Sequence, residues 1–194
     1  MTGTLDEARE ALKAGRLVVY PTETVYGLGA DALDSDAVER VFAAKDRDHS
    51  KPVSMAVPDL DTAREYVSLG DREEAFIERF LPGPVTVVVE KRPVVPDVLT
   101  AGRGRVGLRI PDHELALTLL DEVAPVTATS ANRSGNPSAR RVADLDDRVR
   151  DAATVVLDGG ETPGGGSTVV DVDRNVVHRE GLCAAAVEAW LDEH

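Results

Sequence analysis

Basic residues are concentrated in a few places in this chain. It has 194 residues with 35 acids, 22 bases and a formal charge of −13. Yet Lys45-x-Arg47 with Lys51, Arg103-x-Arg105 with Arg109, Arg133, and Arg179 all fall in loops or at the ends of apolar runs. Arginine's planar fork of donors suits phosphate and carboxylate groups. Taken singly, each of these groups also fits a solvated charge or an ion-pair partner. As clusters beside apolar runs they read as an anion site. Ser130-Ala131-Asn132 follows an apolar run and offers hydroxyl and amide donors, although Ser and Asn in a turn also bond their own backbone. Ser167 and Thr168 divide in the same way. In the stretch Leu17 to Gly29, four apolar residues lead to Pro21-Thr22-Glu23-Thr24-Val25-Tyr26 and a Gly-x-Gly step. Glu23 there offers a carboxylate for an amine or a cap for a turn, and Tyr26 reads as a half-buried aromatic. Together these residues imply a pocket for a polyanion with a small polar ligand beside it.

Several chemistries are excluded. Gly164, Gly165 and Gly166 precede Ser167 and Thr168 with no lysine, so there is no phosphate-binding P-loop; no G-x-G-x-x-G turn is expected, and no G-x-S-x-G or H-E-x-x-H occurs. His49, His113, His178 and His194 lack metal-ligand spacing, and Cys183 is the only cysteine, which rules out an internal disulfide or a cysteine cluster. No metal ligands are expected. Aromatics make up only 4% of the chain, so the core must be mostly Val, Leu and Ala. A basic leader and an apolar run of membrane-spanning length are both missing, which predicts a soluble cytoplasmic protein without membrane contact. Lys13, Lys45, Lys51 and Lys91 are the only lysines. A lysine-poor acidic surface suits a salt-rich, halophilic cytoplasm, where screening softens self-repulsion; an ordinary acidic protein is the plainer alternative.

The elements that must position these residues follow from periodicity and punctuation. Helices are expected at 5–14 with Gly15 as stop, from Asp34 or Ser35 to Lys45, at 60–67, at 71–80 with Asp71-x-x-Glu74 as a capping box, from Asp112 through Leu120, near 142–152, and at 184–192. Strands are expected at 17–20, 52–57, 85–89, 106–110, 125–129, 154–157, 167–172 and 176–179, with 21–29 and the Pro-rich 93–97 as connections. No internal repeat or second domain is visible. The pattern predicts a single α/β domain over 1–194 built on an open, twisted, mixed sheet of about seven strands with flanking helices.

The same residues carry a family resemblance. Pro21-Thr22-Glu23-Thr24-Val25-Tyr26-Gly27-Leu28-Gly29, Lys45-x-Arg47, Pro82-Gly83-Pro84-x-Thr86, Val106-x-Leu108-Arg109-Ile110-Pro111 and Thr129-Ser130-Ala131-Asn132-x-Ser134-Gly135 resemble, in order and spacing, the YrdC-type threonylcarbamoyl-AMP synthases in their short, single-domain form. The resemblance runs from about residue 5 to the C-terminus. It implies a YrdC-like fold with a concave basic groove, and a reaction in which L-threonine, bicarbonate or CO2 and ATP (with Mg2+) give threonylcarbamoyl-AMP and pyrophosphate. A separate complex then transfers the threonylcarbamoyl group to tRNA, which itself is a possible direct contact.

By matching motif positions, the resemblance implies Lys45, Arg47, Ser130 and Asn132 as the catalytic group. It implies Thr24, Arg109 and Ser167 on the threonine side, and Arg47, Lys51, Arg105, Ala128, Ser130, Ser138 and Arg179 on the ATP side. Two positions depart from the pattern: Asp48 stands where a proline commonly follows the Lys-x-Arg pair, and Ala56 where relatives can carry a ligand histidine. The alternatives are an RNA-binding module using the same groove without turnover, against which the charge of −13 argues, and a carbamoyl-adenylate-type transferase for which threonine is dispensable.

Overall fold

The chain is described from a computed structural model over residues 2–194. Helix α1 (Leu5–Lys13) starts on a capping box: the Glu7 amide donates to the Thr4 hydroxyl and the Thr4 amide to the Glu7 carboxylate. Next come β1 (Leu17–Tyr20), β2 (Gly27–Gly29), α2 (Ser35–Lys45), β3 (Ser54–Ala56), α3 (Leu60–Ala63), β4 (Val67–Ser68), α4 (Asp71–Phe80) and β5 (Val85–Lys91). The second half holds α5 (Asp97–Thr100), β6 (Arg105–Arg109), α6 (Glu114–Val123), β7 (Val126–Ser130), a 3-10 turn (Val142–Asp144), α7 (Asp147–Ala152), β8 (Ala153–Val156), β9 (Thr168–Asp171), β10 (Val176–Arg179) and α8 (Ala184–Glu193).

One mixed sheet of ten strands runs in the order β10-β9-β5-β6-β3-β7-β2-β1-β8, with β4 pairing off β5. The pairs β1–β8, β3–β6 and β5–β9 are parallel and the others antiparallel. The open α/β sheet with flanking helices is the expected fold class. Period-two alternation gives the central strands two different faces. Met55, Val87, Val89, Val106, Leu108 and Val170 turn to one side, where Phe42 of α2, Phe76 and Ile77 of α4, Leu99 of α5 and Val187 of α8 cover them. A second cluster packs Ala8, Ala11 and Leu12 of α1 and Leu119 and Leu120 of α6 against Val18, Tyr20 and Val126. On the opposite face Ala56 of β3 and Val126 of β7 pack with α6, while Thr86, Val88, Gly107 and Val169 line a cavity.

The structure differs from the sequence expectation at six places. Gly27–Gly29, expected as loop, is a strand that pairs with both β1 and β7. Its glycines are required by packing: a Cβ on Gly27 would stand 3.0 Å from the Tyr20 ring, and one on Gly29 2.8 Å from Val126. The helix expected over 60–67 stops at Ala63, because Val67 and Ser68 pair with Lys91 and Glu90 and the Arg92 amide binds Tyr66 O. The cap of α4 is Gly70, whose amide donates to Glu73, in place of the Asp71–Glu74 box. Helix α6 begins at Glu114, two residues later than Asp112, with His113 at its cap. The Pro-rich link contains the short α5, and 142–152 divides into a 3-10 turn and α7. Two short strands, β2 and β4, carry too little apolar pattern to register as strands without their partners.

Candidate active site

This second face of the sheet forms the floor of a cavity of about 740 Å³, within the size range of small-molecule sites. Alternate residues point into it: Ser54 and Ala56 of β3, Thr86 and Val88 of β5, and Arg105, Gly107 and Arg109 of β6. Ala128 and Ser130 of β7 and Val169 and Asp171 of β9 complete the floor. Gly107 lies where a Cβ would come within 3.0 Å of Ser54 and Thr86, so glycine keeps the centre of the floor low. Loops between the elements form the walls, bringing in Thr22 and Thr24 after β1, Arg47 after α2, Arg103 after α5, Ser138 after β7 and Gly165 to Ser167 before β9.

The opening motif is fixed by its own hydroxyls. Thr22 Oγ1 accepts from the amides of Thr24 and Val25 and donates to Val25 O, a local turn that places the buried Thr24 on the cavity wall. The Gly164 amide donates to Thr24 O, tying this turn to the glycine cluster. Tyr26 is fully buried, not half-buried; its hydroxyl donates to Gly160 O and accepts from the Gly159 amide, anchoring the loop after β8. Glu23 pairs with Arg109, and the pair leaves Glu23 Oε2 and Arg109 Nε without partners. The Arg109 guanidinium therefore reaches the cavity already bridged to a carboxylate.

Six arginines line the cavity: Arg47, Arg103, Arg105, Arg109, Arg174 and Arg179. Their situations differ. Arg47 donates only to the carbonyls of Lys51 and Pro52, and Arg179 only to Ser167 O and Oγ. Neither has an ion-pair partner among the described residues. Burial lowers the pKa of both guanidinium groups; proximity to Arg179 adds to the effect on Arg47, and proximity to Arg109 to that on Arg179. Crowded like charges without counter-charges are an unfilled demand for an anion. Arg105 is the opposite case. It bonds Glu73, Asp171, Asp173 and Val88 O, so it braces one end of the cavity and its charge is already met.

The structure separates the Lys-x-Arg and Ser-x-Asn motifs by side. Arg47 and Ser130 line the cavity; Lys45 and Asn132 do not. Lys45 is buried, 1% exposed, and donates to Ser130 O and to Asn132 O. Asn132 Nδ2 donates to the carbonyls of Arg133 and Asn136. Of the remaining expected residues, Ala128, Ser138 and Ser167 line the cavity, with Ser167 Oγ 2.9 Å from Thr86 Oγ1. Lys51 is exposed on the loop outside the lining, and its carbonyl, not its ammonium, serves Arg47.

Sequence reasoning did not single out Ser54, Asp171 or His178, all of which line the cavity. Only strand register would have found them, and register is not visible in one sequence. The expectation that no G-x-G-x-x-G occurs is wrong: Gly102-x-Gly104-x-x-Gly107 has the spacing of a dinucleotide-binding turn. Here the pattern leads into strand β6 and not from a strand into a helix, so it lacks the helix N-terminus that such a turn supplies to phosphate.

A family model described as "Telomere recombination", for Sua5, YciO and YrdC, matches residues 10–181, the span that contains every strand and the whole cavity. The chain belongs to the Sua5/YciO/YrdC family. Among its relatives, a threonylcarbamoyl-AMP synthase of Pyrococcus abyssi is 40% identical over 164 residues, covering 83% of this chain and 48% of that protein. The chain thus spans about half the length of that relative. A Methanocaldococcus jannaschii relative, provisionally named for the same activity, is 33% identical over 181 residues, 92% of this chain and 86% of that protein. The solved structure of P. abyssi Sua5 complexed with L-threonine superimposes with a TM-score of 0.80 at 39% identity, covering 86% of this chain and 50% of that one. In this member of the Sua5/YciO/YrdC family, Thr24, Arg47 and Ser130 line the cavity, and Lys45 and Asn132 lie outside its lining.

Proposed function

We propose that this chain is a threonylcarbamoyl-AMP synthase, a nucleotidyltransferase that converts L-threonine, bicarbonate or CO2 and MgATP into threonylcarbamoyl-AMP and pyrophosphate. The observation that carries the reading is the convergence of Arg47 and Arg179, both without counter-charge among the described residues, on a cavity that Thr24 and Arg109 also line. In this reading an anion subsite and an amino-acid subsite share a space of about 740 Å³. The threonine complex of the P. abyssi relative supports the amino-acid half.

The chemistry asks little covalent work of the protein. The threonine ammonium loses one proton to solvent, the free amine adds to CO2 to form a C–N bond, and a second proton leaves the nitrogen to give the carbamate. A carbamate oxygen then attacks the α-phosphorus, the bond from that phosphorus to the bridging oxygen breaks, and pyrophosphate leaves. With bicarbonate as the carbon source, one water is released. Catalysis is then positioning of two ligands plus neutralisation of phosphate charge. Arg47 and Arg179 supply the neutralisation. Thr24, Ser167 and the Glu23-bridged Arg109 orient threonine, and Ser130, Ser138 and the Ala128 backbone shape the nucleotide side. Arg105 acts by holding the cavity end through its carboxylates, and Lys51 through its carbonyl on Arg47. Among the described residues no three His, Cys, Asp or Glu side chains converge as a metal cage. The magnesium in this reading is that of MgATP, and no residue is assigned to it.

One sheet continuous from Leu17 to Arg179 supports reading 1–194 as a single domain. Among the described residues no helix is long and apolar enough to cross a membrane. The product would pass to a separate transfer complex acting on tRNA in the cytoplasm. Pyrophosphate release from ATP, assayed in buffers from low to molar salt, tests the reading. Release is expected only when threonine and bicarbonate are both present. Release independent of threonine would replace it with a carbamoyl-adenylate transferase, and tight RNA binding without turnover with a binding module.

A further inference from the structure

The last turn of α2 sends two cations in opposite directions. The helix ends at Lys45, and Asp46 follows in the left-handed conformation with φ 51°. The Arg47 amide then reaches back to Phe42 O at 3.0 Å, closing the helix end. Because the chain reverses at Asp46, residues two apart land on opposite sides. Arg47 enters the cavity, while Lys45 lies outside its lining, 1% exposed and with no carboxylate partner among the described residues.

Beyond its own helix, the hydrogen bonds of Lys45 all go to one segment. Its ammonium donates to Ser130 O and, at 2.7 Å, to Asn132 O. Its own carbonyl accepts from the Ser134 amide at 2.9 Å. The neighbouring Asp46 carboxylate pairs with Arg133 at 2.5 Å. Asn132 closes the segment from within, donating from Nδ2 to Arg133 O and Asn136 O. The turn over residues 130–136 is thus clamped at four points, and Ser130 at its start lines the cavity.

We propose that Lys45 is a positioning residue: it holds the 130–136 turn in the shape that presents Ser130 to the nucleotide, while Arg47 alone of the Lys-x-Arg pair meets phosphate. The inference rests on the reading that MgATP occupies the cavity. A buried ammonium bound to two carbonyls fixes two backbone positions at once, which an apolar side chain there cannot do.

Backbone hydrogen exchange over residues 131–136, measured beside steady-state kinetics, separates positioning from phosphate binding. In Lys45→Met, exchange of these amides should quicken about tenfold or more. Its kcat should fall about 100-fold while the MgATP KM changes less than about threefold. Arg47→Ala should lower kcat as well but, unlike Lys45→Met, raise the MgATP KM about tenfold and leave exchange in the turn unchanged. Lys45→Arg, which can still bridge two carbonyls, should restore slow exchange. Wild-type exchange in Lys45→Met, or a KM raised as far as in Arg47→Ala, would overturn the proposal. Should Lys45→Met not fold, lysine acylation of the wild-type protein read by mass spectrometry decides: Lys45 should stay unmodified with and without MgATP. Modification of Lys45 that MgATP suppresses would overturn it. If the wild-type protein makes no threonylcarbamoyl-AMP, the functional reading fails, while the exchange and acylation results still decide what Lys45 does.

Discussion

Arg47 and Lys45 are both cations of one short motif, and burial acts on them differently. Arg47 keeps its charge in the cavity, so Arg47→Ala should lower turnover about 100-fold or more with the fold intact, checked by pyrophosphate release and circular dichroism. Wild-type rates in that variant would remove Arg47 from the site. For Lys45, burial and the nearby Arg47 lower the pKa from 10.5 to about 8. Between those values the native state binds fewer protons than the unfolded one, so this group makes stability rise with pH from about 8. Tyr20, pushed up to about 12 by burial, acts in the opposite sense above pH 10. Denaturant unfolding should therefore show stability increasing from pH 8 to about 10, and Lys45→Met should lose that increase. At this scale the sequence shows which side chains are cations. It does not show that Arg105 is already neutralised by Glu73, Asp171 and Asp173, because those partners lie 32 to 68 residues away.

Elements place the cavity by the close approach of backbones. Gly181 lets the segment before α8 pass over the end of β9: a Cβ there would stand 2.5 Å from Ser167 C and Thr168 N, both backbone atoms that have no rotamer to yield. Gly181→Ala should destabilise the protein by about 2–3 kcal/mol and disturb Ser167 and, through it, Arg179. Gly104→Ala is the control, since nothing lies within 4 Å of its added Cβ; it should change stability by less than about 1 kcal/mol. Equal midpoints of the two variants in urea would refute the packing argument. The long, strongly patterned elements were legible in the sequence: α1, α2, α4, β1, β5 and α8 all appear within a residue or two of expectation. The short β2, β4 and α5 were not. β2 and β4 exist because β1, β7 and β5 offer open ladders, which is a property of their neighbours.

For the whole molecule, the governing quantity is a net charge of −13 around a cavity lined by six arginines and one carboxylate, Asp171. Acidic self-repulsion weakens the compact state at low ionic strength, and salt screens it within a few ångströms. The melting temperature should therefore rise by about 5 °C from low salt to 1 M KCl, and a flat or falling melting curve would contradict a salt-adapted surface. Sequence by itself determined the composition of that surface, the strong helices and strands, the motifs and their order, because these depend on residue type and short-range spacing. Tertiary structure decided which face of the sheet lines the cavity and which arginines arrive unpaired. It also divided the motifs: Arg47 and Ser130 line the cavity, and Lys45 and Asn132 lie outside its lining. Those outcomes depend on strand register and on one left-handed residue at Asp46, and each is settled by contacts between segments far apart in the chain.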